Sequence, residues 1–235
     1  MPADIRITGV TCRFGERTVL DGVTLALTER RIGIVGRNGS GKSTLVRTLC
    51  GLIAPEHGQV LINGVDVLKD RKAAIATVGM IFQNPDHQII FPTVEEEIAF
   101  GLRQQGRGKA DALALAHETL AHFQRSDWAK RSVSTLSQGQ RHLVCLMSVL
   151  AMKPAVILLD EPFSGLDIPT TRALQRYLAQ VEATVIHVTH DRSLIGDYDR
   201  VLWIDGGKVA GDGAPDDVLP AYVTAMEAAD AGADL

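Results

Sequence analysis

A glycine-rich stretch that could bind phosphate lies at residues 36–44, directly after an apolar segment at 32–35. It fits the pattern G-x-x-x-x-G-K-S/T, in which glycines let successive backbone N–H groups and a helix N-terminus face a phosphate. Lys42 would neutralise charge on the β- and γ-phosphates, and Ser43 would ligate Mg²⁺. An ordinary glycine-rich turn is the alternative, but a strand before and a helix-like run after favour a phosphate loop. The predicted nucleotide-binding residues are Asn38, Gly39, Ser40, Gly41, Lys42, Ser43 and Thr44.

Two adjacent carboxylates, Asp160 and Glu161, follow a second apolar segment at residues 156–159. A buried strand seldom ends this way without a functional reason. Asp160 could hold the Mg²⁺ shell, while Glu161 could accept a proton from an attacking water or orient it. The alternative is a strand that simply emerges into an acidic turn. Together with the phosphate loop, the pair predicts nucleotide hydrolysis.

The run Leu-Ser-Gln-Gly-Gln-Arg at residues 136–141 separates the families of phosphate-loop proteins. It resembles the LSGGQ signature of the ATP-binding cassette (ABC) ATPases, with Gln138 in place of a glycine. The resemblance implies that Ser137, Gly139 and Gln140, at the start of a helix, face the γ-phosphate of an ATP held by the opposite subunit. It therefore implies a homodimer, or a dimer with a close ATPase homologue, with two ATP molecules between the subunits. Taken alone, Ser137 is more typical of a local helix cap, and its order and spacing with the other motifs favour the family role.

Other positions match this family in order and spacing. The resemblance implies that Phe14 stacks on adenine, that Gln83 reaches Mg²⁺ and water, and that His190 contacts the γ-phosphate. It also implies a D-loop crossing the dimer interface, formed by Ser164, Gly165, Leu166 and Asp167. By themselves, Phe14 is more typical of a core residue and the D-loop of a plain turn, while Gln83 is equally typical of a polar strand end. His187 is interpreted as a core polar group.

Residues 82–88 and 91–101 resemble a narrower branch, the ATPases of energy-coupling-factor (ECF) importers for vitamins and transition-metal ions. The resemblance implies two membrane partners, a transmembrane coupling subunit with arginine-bearing helices and a substrate-binding subunit. The acidic run at 95–97 could form a rim for such helices, or could simply suit the helix dipole. Many cobalt and vitamin ATPases of the branch continue beyond the position where this sequence ends, so a biotin importer is the leading expectation.

Composition limits the partners, the metal sites and the cellular location that we expect. The net charge of −4 argues against a nucleic-acid partner, which usually meets a basic face. The three cysteines form no CxxC pair, so neither a disulfide framework nor a zinc site is expected. The N-terminus lacks an export signal, and the longest apolar run, 143–152, is about half of the ~20 residues that span a bilayer. We therefore expect a peripheral protein on the cytoplasmic face of the membrane, bound through its partners.

The pattern of apolar segments predicts an α/β fold. Short strands at 5–7, 19–20, 25–27, 32–35 and 60–62, with Asn63-Gly64 as a hairpin turn, indicate an N-terminal antiparallel region. Residues 94–152 have helical character, and strands at 156–159 and 184–188 flank a helix-like stretch at 170–181. We predict a P-loop core at 1–83 and 151–235 with an inserted α-helical subdomain at 84–150. Residues 221–235 indicate a surface helix or a frayed end.

Three rival functions share some of these motifs. A DNA-repair or chromosome-maintenance ATPase would carry a long coiled coil between phosphate loop and signature, but residues 45–135 show no sustained heptads. A translation-associated protein would carry two such domains, whereas this sequence has a single phosphate loop. A monomeric P-loop kinase needs neither the signature nor the D-loop. A transport ATPase that uses ATP and Mg²⁺ remains the prediction.

Overall fold

The computed structural model describes residues 1–231. The chain divides into two compact units, one formed by residues 1–70 together with 184–235 and the other by residues 71–183. The phosphate loop belongs to the first unit. The acidic strand end, the signature and the D-loop belong to the second. The predicted boundaries of a helical subdomain at 84–150 stay a prediction.

A four-stranded antiparallel sheet opens the first unit, in the order β2-β1-β4-β5. Its strands are β1 (Ile5–Phe14), β2 (Arg17–Leu27), β4 (His57–Ile62) and β5 (Val65–Asp66). The tight turn between β4 and β5 needs positive φ at both central residues, and Asn63 and Gly64 supply φ of 50° and 80°. The predicted antiparallel region is therefore confirmed, with longer strands than the sequence indicated.

The first unit also contains parallel strands, because β3 (Arg31–Val35) pairs with both β8 (Thr184–Val188) and β9 (Arg200–Asp205) in parallel. Strand β10 (Lys208–Gly213) pairs antiparallel with β9. Helix α1 (Lys42–Leu49) begins at the end of the phosphate loop. Helix α7 (Pro215–Ala231) packs Val218 into an apolar cluster with Val35 and Val201. Residues 221–231 are thus helical, and 232–235 lie outside the described residues.

The second unit combines two parallel strands with helices. Strand β6 (Val78–Ile81) pairs with β7 (Val156–Asp160), and both are completely buried. The helices are α2 (Arg71–Thr77), α3 (Val94–Gln104), α4 (Lys109–His122), α5 (Gln138–Ala151) and α6 (Ile168–Ala179). Helices α3, α4 and α5 confirm the predicted helical insertion. Among residues 1–231, none of the helices combines the length and the apolar character that crossing a membrane requires.

Candidate nucleotide-hydrolysis site

The phosphate loop has a backbone that only glycine can adopt at two positions. Gly36 has a φ of 153°, and a Cβ there would lie 2.1 Å from the carbonyl oxygen of Ile204. Gly41 has a φ of 110°, and a Cβ there would lie 2.7 Å from the carbonyl oxygen of Val19. Distances this short do not occur in stable structures, so both glycines set the path of the loop. Gly41 then leads directly into α1, whose N-terminus adds a positive dipole end.

Lys42 lies inside the loop rather than in solvent. Its side chain is 5% exposed, and its ammonium donates to the carbonyl oxygens of Gly36 and Arg37 at 2.9 Å each. Ser40 is buried, and its hydroxyl oxygen has no hydrogen-bond partner among the described residues. A buried polar atom of this kind costs free energy unless a ligand satisfies it. The positioned charge and the unsatisfied hydroxyl fit a bound phosphate.

The other predicted residues of the loop are more accessible. Asn38 and Gly39 are exposed, and Arg17 donates to the Gly39 carbonyl oxygen at 3.3 Å. Ser43 and Thr44 are half-buried in the first turn of α1. Arg17 was not a sequence candidate. In the sequence, Arg17 is a cation upstream of the loop. Such a residue is too common to predict a contact.

Phe14 and His190 also belong to the first unit. Phe14 ends β1 and is 53% exposed, which contradicts a core role and leaves its ring accessible for stacking. His190 follows β8 and is exposed, whereas His187 within β8 is buried beside the Tyr198 hydroxyl at 3.2 Å. Burial lowers the pKa of His187 to about 3, so this histidine stays neutral. Its interpretation as a core residue is confirmed.

In the second unit, Asp160 ends β7 and is 5% exposed, and Glu161 follows it in the left-handed region with a φ of 53°. A non-glycine residue in this region costs about 1–2 kcal/mol and is more often found where function requires an unusual direction. The Glu161 carbonyl oxygen accepts from the Ser164 N–H at 3.2 Å, which closes the turn into the D-loop. The unusual backbone thus turns Glu161 away from the strand path.

The signature forms the capped start of α5. The Ser137 hydroxyl accepts from the Gln140 N–H at 3.3 Å, and the Gln140 side chain accepts from the Ser137 N–H at 3.0 Å. This reciprocal pair is a capping box. The local interpretation of Ser137 is therefore observed. The capping hydroxyl acts as an acceptor, so its own proton can still be donated elsewhere.

Gly139 allows α5 and α6 to approach closely, because a Cβ there would lie 2.7 Å from the Thr170 methyl group. The D-loop precedes α6 as a turn in which Gly165 has a φ of 78°. Asp167 caps α6 by accepting from the Thr170 N–H at 2.7 Å, and this bonding lowers the pKa of the Asp167 carboxyl. The turn at Gly165 and the Asp167 cap therefore fix the position of the D-loop at the start of α6.

An open groove of about 610 Å³ joins the signature to the D-loop within the second unit. Besides these segments, Arg125, Trp128 and Tyr177 line it. The guanidinium of Arg125 lies 5.3 Å from the centre of the Trp128 ring, within cation–π range. This aromatic wall was not predicted from the sequence, because Tyr177 lies far along the chain from Arg125 and Trp128.

Gln83 follows β6 after one residue and is exposed. The acidic run nearby is mostly not a surface rim. Glu95 is 6% exposed and contacts Lys130 and His117 at 2.5 and 2.7 Å, which lowers the pKa of its carboxyl. Glu97 is 5% exposed and accepts from two backbone N–H groups, while burial raises the pKa of its carboxyl. Two of the three acids therefore serve the internal structure of this unit.

His142, in the second turn of α5, was not among the residues predicted from the sequence. It is 2% exposed, and its ring nitrogens face two backbone carbonyl oxygens, those of Gln138 and Gln83. The sequence signal for His142 was a histidine at a position where the helical pattern predicts a buried apolar residue. Its neighbour Arg141 pairs with Asp86 at 3.3 Å.

The side chains predicted to ligate Mg²⁺ carry oxygen donors in each unit. Ser43 in the first unit carries a hydroxyl oxygen, and Gln83 and Asp160 in the second unit carry amide and carboxylate oxygens. Oxygens of these types, together with substrate phosphates and water, are the ligands that Mg²⁺ prefers. Within residues 1–231, no group of three or more His, Cys, Asp or Glu side chains could hold a metal ion by itself. The donors of each unit therefore fit a Mg²⁺ ion whose other ligands come from a nucleotide.

The glycine-shaped phosphate loop, the strand ending in two carboxylates and the capped signature helix define an ATP-binding cassette ATPase. Residues 20–164 match the family described as ABC transporter, and this match spans more than half of the chain. The chain therefore belongs to the ABC transporter family. It binds and hydrolyses ATP, as the motifs predicted.

Individual relatives show which members of the family this chain is similar to. The chain is 56% identical to the biotin transport ATP-binding protein BioM of Rhodobacter capsulatus over 210 residues, which cover 89% of this chain and 90% of that protein. It is 37% identical to the energy-coupling factor transporter ATP-binding protein EcfA1 of Enterococcus faecalis, over 83% of this chain and 72% of that one. A dimeric post-hydrolysis structure of the ATP-binding cassette MJ0796 with ADP and Pi superimposes with a TM-score of 0.79. That structure is 26% identical and covers 90% of this chain and 98% of its own.

Proposed function

We propose that this chain powers an ECF-type importer, with biotin as the transported molecule, and that it works as a dimer in which each subunit completes the ATP site of the other. The dimer is a homodimer, or a pair with a close ATPase homologue. It is held at the cytoplasmic face of the membrane by a transmembrane coupling subunit, which a substrate-binding membrane subunit accompanies. Similarity to a biotin transport protein and to an ECF transporter protein supports this assignment.

The residue roles follow the chemistry of each group. Bound Mg²⁺ supplies charge neutralisation at the phosphates, and Ser43, Gln83 and Asp160 are its proposed ligands. Glu161 takes the proton of the attacking water. Lys42 and His190 stabilise the charge that develops on the transferred phosphoryl group. Phe14 stacks on the adenine ring.

The observation that carries the shared site is the capped start of α5. Ser137 is exposed, and its hydroxyl is oriented by the capping box with Gln140 while its proton remains a possible donor. Gly139 adds no side chain of its own to this helix start. An oriented hydroxyl and first-turn N–H groups at an open groove suit an incoming anion. The proposed anion is the γ-phosphate bound to the phosphate loop of the partner subunit, with the D-loop beside it at the dimer interface.

A mixing experiment tests this sharing. Ser137→Arg should block closure over the partner's phosphate, and Lys42→Ala should weaken nucleotide binding, so each homodimer should hydrolyse ATP poorly. In the mixed dimer, one site carries both changes and the other carries neither. The ATPase activity of the mixture should rise above the average of the two variants, and purified mixed dimers should approach about half of the unmodified activity because one of their two sites is intact.

The matched control is a chain that carries both substitutions, since its dimers contain no intact site. Heterodimers are demonstrated with two different affinity tags. A heterodimer preparation that shows only the average of the two weak activities would contradict the shared site. A rise in activity for the double variant would show contamination instead.

The transport assignment needs a separate experiment. We expect the chain to copurify with membrane subunits encoded beside it, and the complex to bind radiolabelled biotin. Import into vesicles should require ATP on the side of this subunit. A complex that binds cobalt or another vitamin, and not biotin, would overturn the substrate while leaving the ATPase assignment intact.

A further inference from the structure

The buried histidine of the signature helix connects two segments that are far apart in sequence. In His142, Nδ1 lies 3.0 Å from the carbonyl oxygen of Gln138, one turn earlier in α5. Nε2 lies 3.2 Å from the carbonyl oxygen of Gln83, 59 residues away along the chain. The side chain is 2% exposed. A single imidazole thus touches the first turn of the signature helix and the segment of the proposed Mg²⁺ ligand.

The chemistry of the contacts identifies the donor. A carbonyl oxygen can only accept, so each contact is a hydrogen bond only when the facing ring nitrogen carries a proton. A neutral imidazole has one such proton and an imidazolium has two. The contact to Gln138 stays within one helix, whereas the contact to Gln83 joins two segments. A proton on Nε2 is therefore what ties the Gln83 segment to α5.

The surroundings separate this bond from ordinary packing. The ring borders an apolar cavity of about 10 Å³ whose other walls include Ile81, Leu146 and Leu159. A space of this size holds no more than about one water. An apolar side chain of similar volume would suit these walls at least as well as an imidazole does. Packing alone therefore gives no reason for a histidine here.

We propose that His142 is a positioning residue that donates Nε2–H to the Gln83 carbonyl and thereby fixes the Gln83 segment relative to the start of α5. The proposal rests on the proposed function, in which Gln83 serves the ATP of its own subunit and Ser137 serves the ATP of the partner. Within that dimer, one hydrogen bond links a ligand of one site to the signature of the other. His142 thus makes the two sites respond to each other.

Two substitutions place a donor at different distances from the backbone, and a third removes the donor. His142→Gln keeps an N–H group about as far out as Nε2, and His142→Asn keeps one at the level of Nδ1. His142→Leu has similar bulk and no donor. We expect His142→Gln to retain kcat, whereas His142→Asn and His142→Leu lose roughly threefold to tenfold, as for one lost buried hydrogen bond. The KM for ATP should change little, and the Hill coefficient for ATP should fall towards one in both defective variants.

Two other orders of activity among these variants would contradict the proposal. If His142→Leu keeps kcat and the Hill coefficient while His142→Gln loses them, the residue only packs and the proposal is wrong. If His142→Asn is as active as His142→Gln, the bond to Gln138 is the relevant one, which also overturns the proposal. Thermal unfolding of each variant identifies any effect that comes from lost stability.

A measurement on the unmodified protein does not depend on how the variants fold. In protein labelled with ¹⁵N at histidine, the His142 signals are assigned by their loss in any one of the three variants. We expect the Nε2 resonance of a nitrogen with a bonded proton. A bare Nε2 would overturn the proposal.

The failure of the shared site would be recognised separately. It would appear as no recovery in the mixing experiment, with the kcat order of the His142 variants and the Nε2 resonance unchanged.

Discussion

The phosphate loop and the signature segment are both proposed to present donors to phosphate, and they are built in opposite ways. The loop depends on glycines that no other residue could replace, and it holds the ammonium of Lys42 over its own carbonyl oxygens. The signature depends on side chains that satisfy each other, with Ser137 and Gln140 closing a capping box. The phosphate loop needs a ligand to satisfy its buried Ser40 hydroxyl, whereas Ser137 and Gln140 satisfy each other without one.

This difference separates binding from hydrolysis. A loop with an unsatisfied buried hydroxyl and a positioned cation can bind nucleotide within one subunit. A signature whose capping box forms without ligand, with Ser137 exposed, suits the proposed role of meeting a phosphate bound by another subunit. Substitutions in the loop should therefore affect affinity, and substitutions in the second unit should affect turnover at unchanged affinity.

The largest expected effect tests the second half of that statement. Glu161→Gln removes the proposed base while leaving the phosphate loop intact, so kcat should fall by about 100-fold or more. The affinity for ATP, measured by calorimetry, should be unchanged, and size-exclusion chromatography with ATP and Mg²⁺ should show a trapped dimer. Glu182→Gln, an exposed carboxylate in the same unit, is the control and should be fully active. Near-normal turnover of Glu161→Gln would remove this residue from its role.

Lys42→Ala tests the loop. The substitution removes a buried charge that faces the phosphates, so the Kd for ATP should rise roughly 10- to 100-fold. Lys208→Ala, which removes a surface cation paired with Asp21, should leave the Kd unchanged. An unaltered Kd in Lys42→Ala would contradict the assignment of the phosphate loop.

Two substitutions at one residue separate capping from catalysis. Aspartate caps helices as well as serine does, so Ser137→Asp should preserve the free energy of unfolding. Its negative charge would repel the partner's γ-phosphate, so kcat should fall by at least roughly tenfold. Ser137→Ala should instead lower the free energy of unfolding by about 1 kcal/mol, with a smaller loss of kcat. Full activity of a well-folded Ser137→Asp protein would reduce Ser137 to a helix cap.

The smallest expected effect comes from removing the proposed stacking of Phe14 on the adenine ring of ATP. Phe14 is 53% exposed, so Phe14→Ala should leave the melting temperature unchanged. Losing one aromatic stacking contact should raise the Kd for ATP by about threefold to tenfold. Leu52→Ala removes a similarly exposed apolar side chain of the same unit, at 57%, and serves as the control. Equal Kd values for both variants would place Phe14 outside the nucleotide site.

The local features of the site were predictable from the sequence because they depend on contiguous residues. A glycine pattern fixes the course of its own loop, and a serine three residues before a glutamine predicts a capping box. The hairpin at Asn63 and Gly64 follows the same rule. The strand end at Asp160 was predictable from an apolar run. The left-handed backbone of Glu161 was not, because nothing local to a glutamate favours it.

Burial could not be predicted for polar residues in helices. The acidic run at 95–97 allowed two interpretations, and only the packing of α3 shows that Glu95 meets Lys130 and His117 while Glu97 meets backbone N–H groups. Phe14 showed the reverse, since an aromatic at a strand end is more often buried. Which face of an element meets solvent depends on what packs against it.

The sequence by itself determined the family, the chemistry and the residues of the phosphate loop, because those features depend on short-range backbone geometry and residue type. The tertiary structure alone decided how Gln83 meets His142, how Gly139 meets Thr170, and which acids are internal. The contacts of Gln83 with His142, of Gly139 with Thr170 and of Glu95 with Lys130 join residues that the chain separates by tens of positions. Their distances depend on the packing of whole helices, and residue type and spacing do not encode that packing locally.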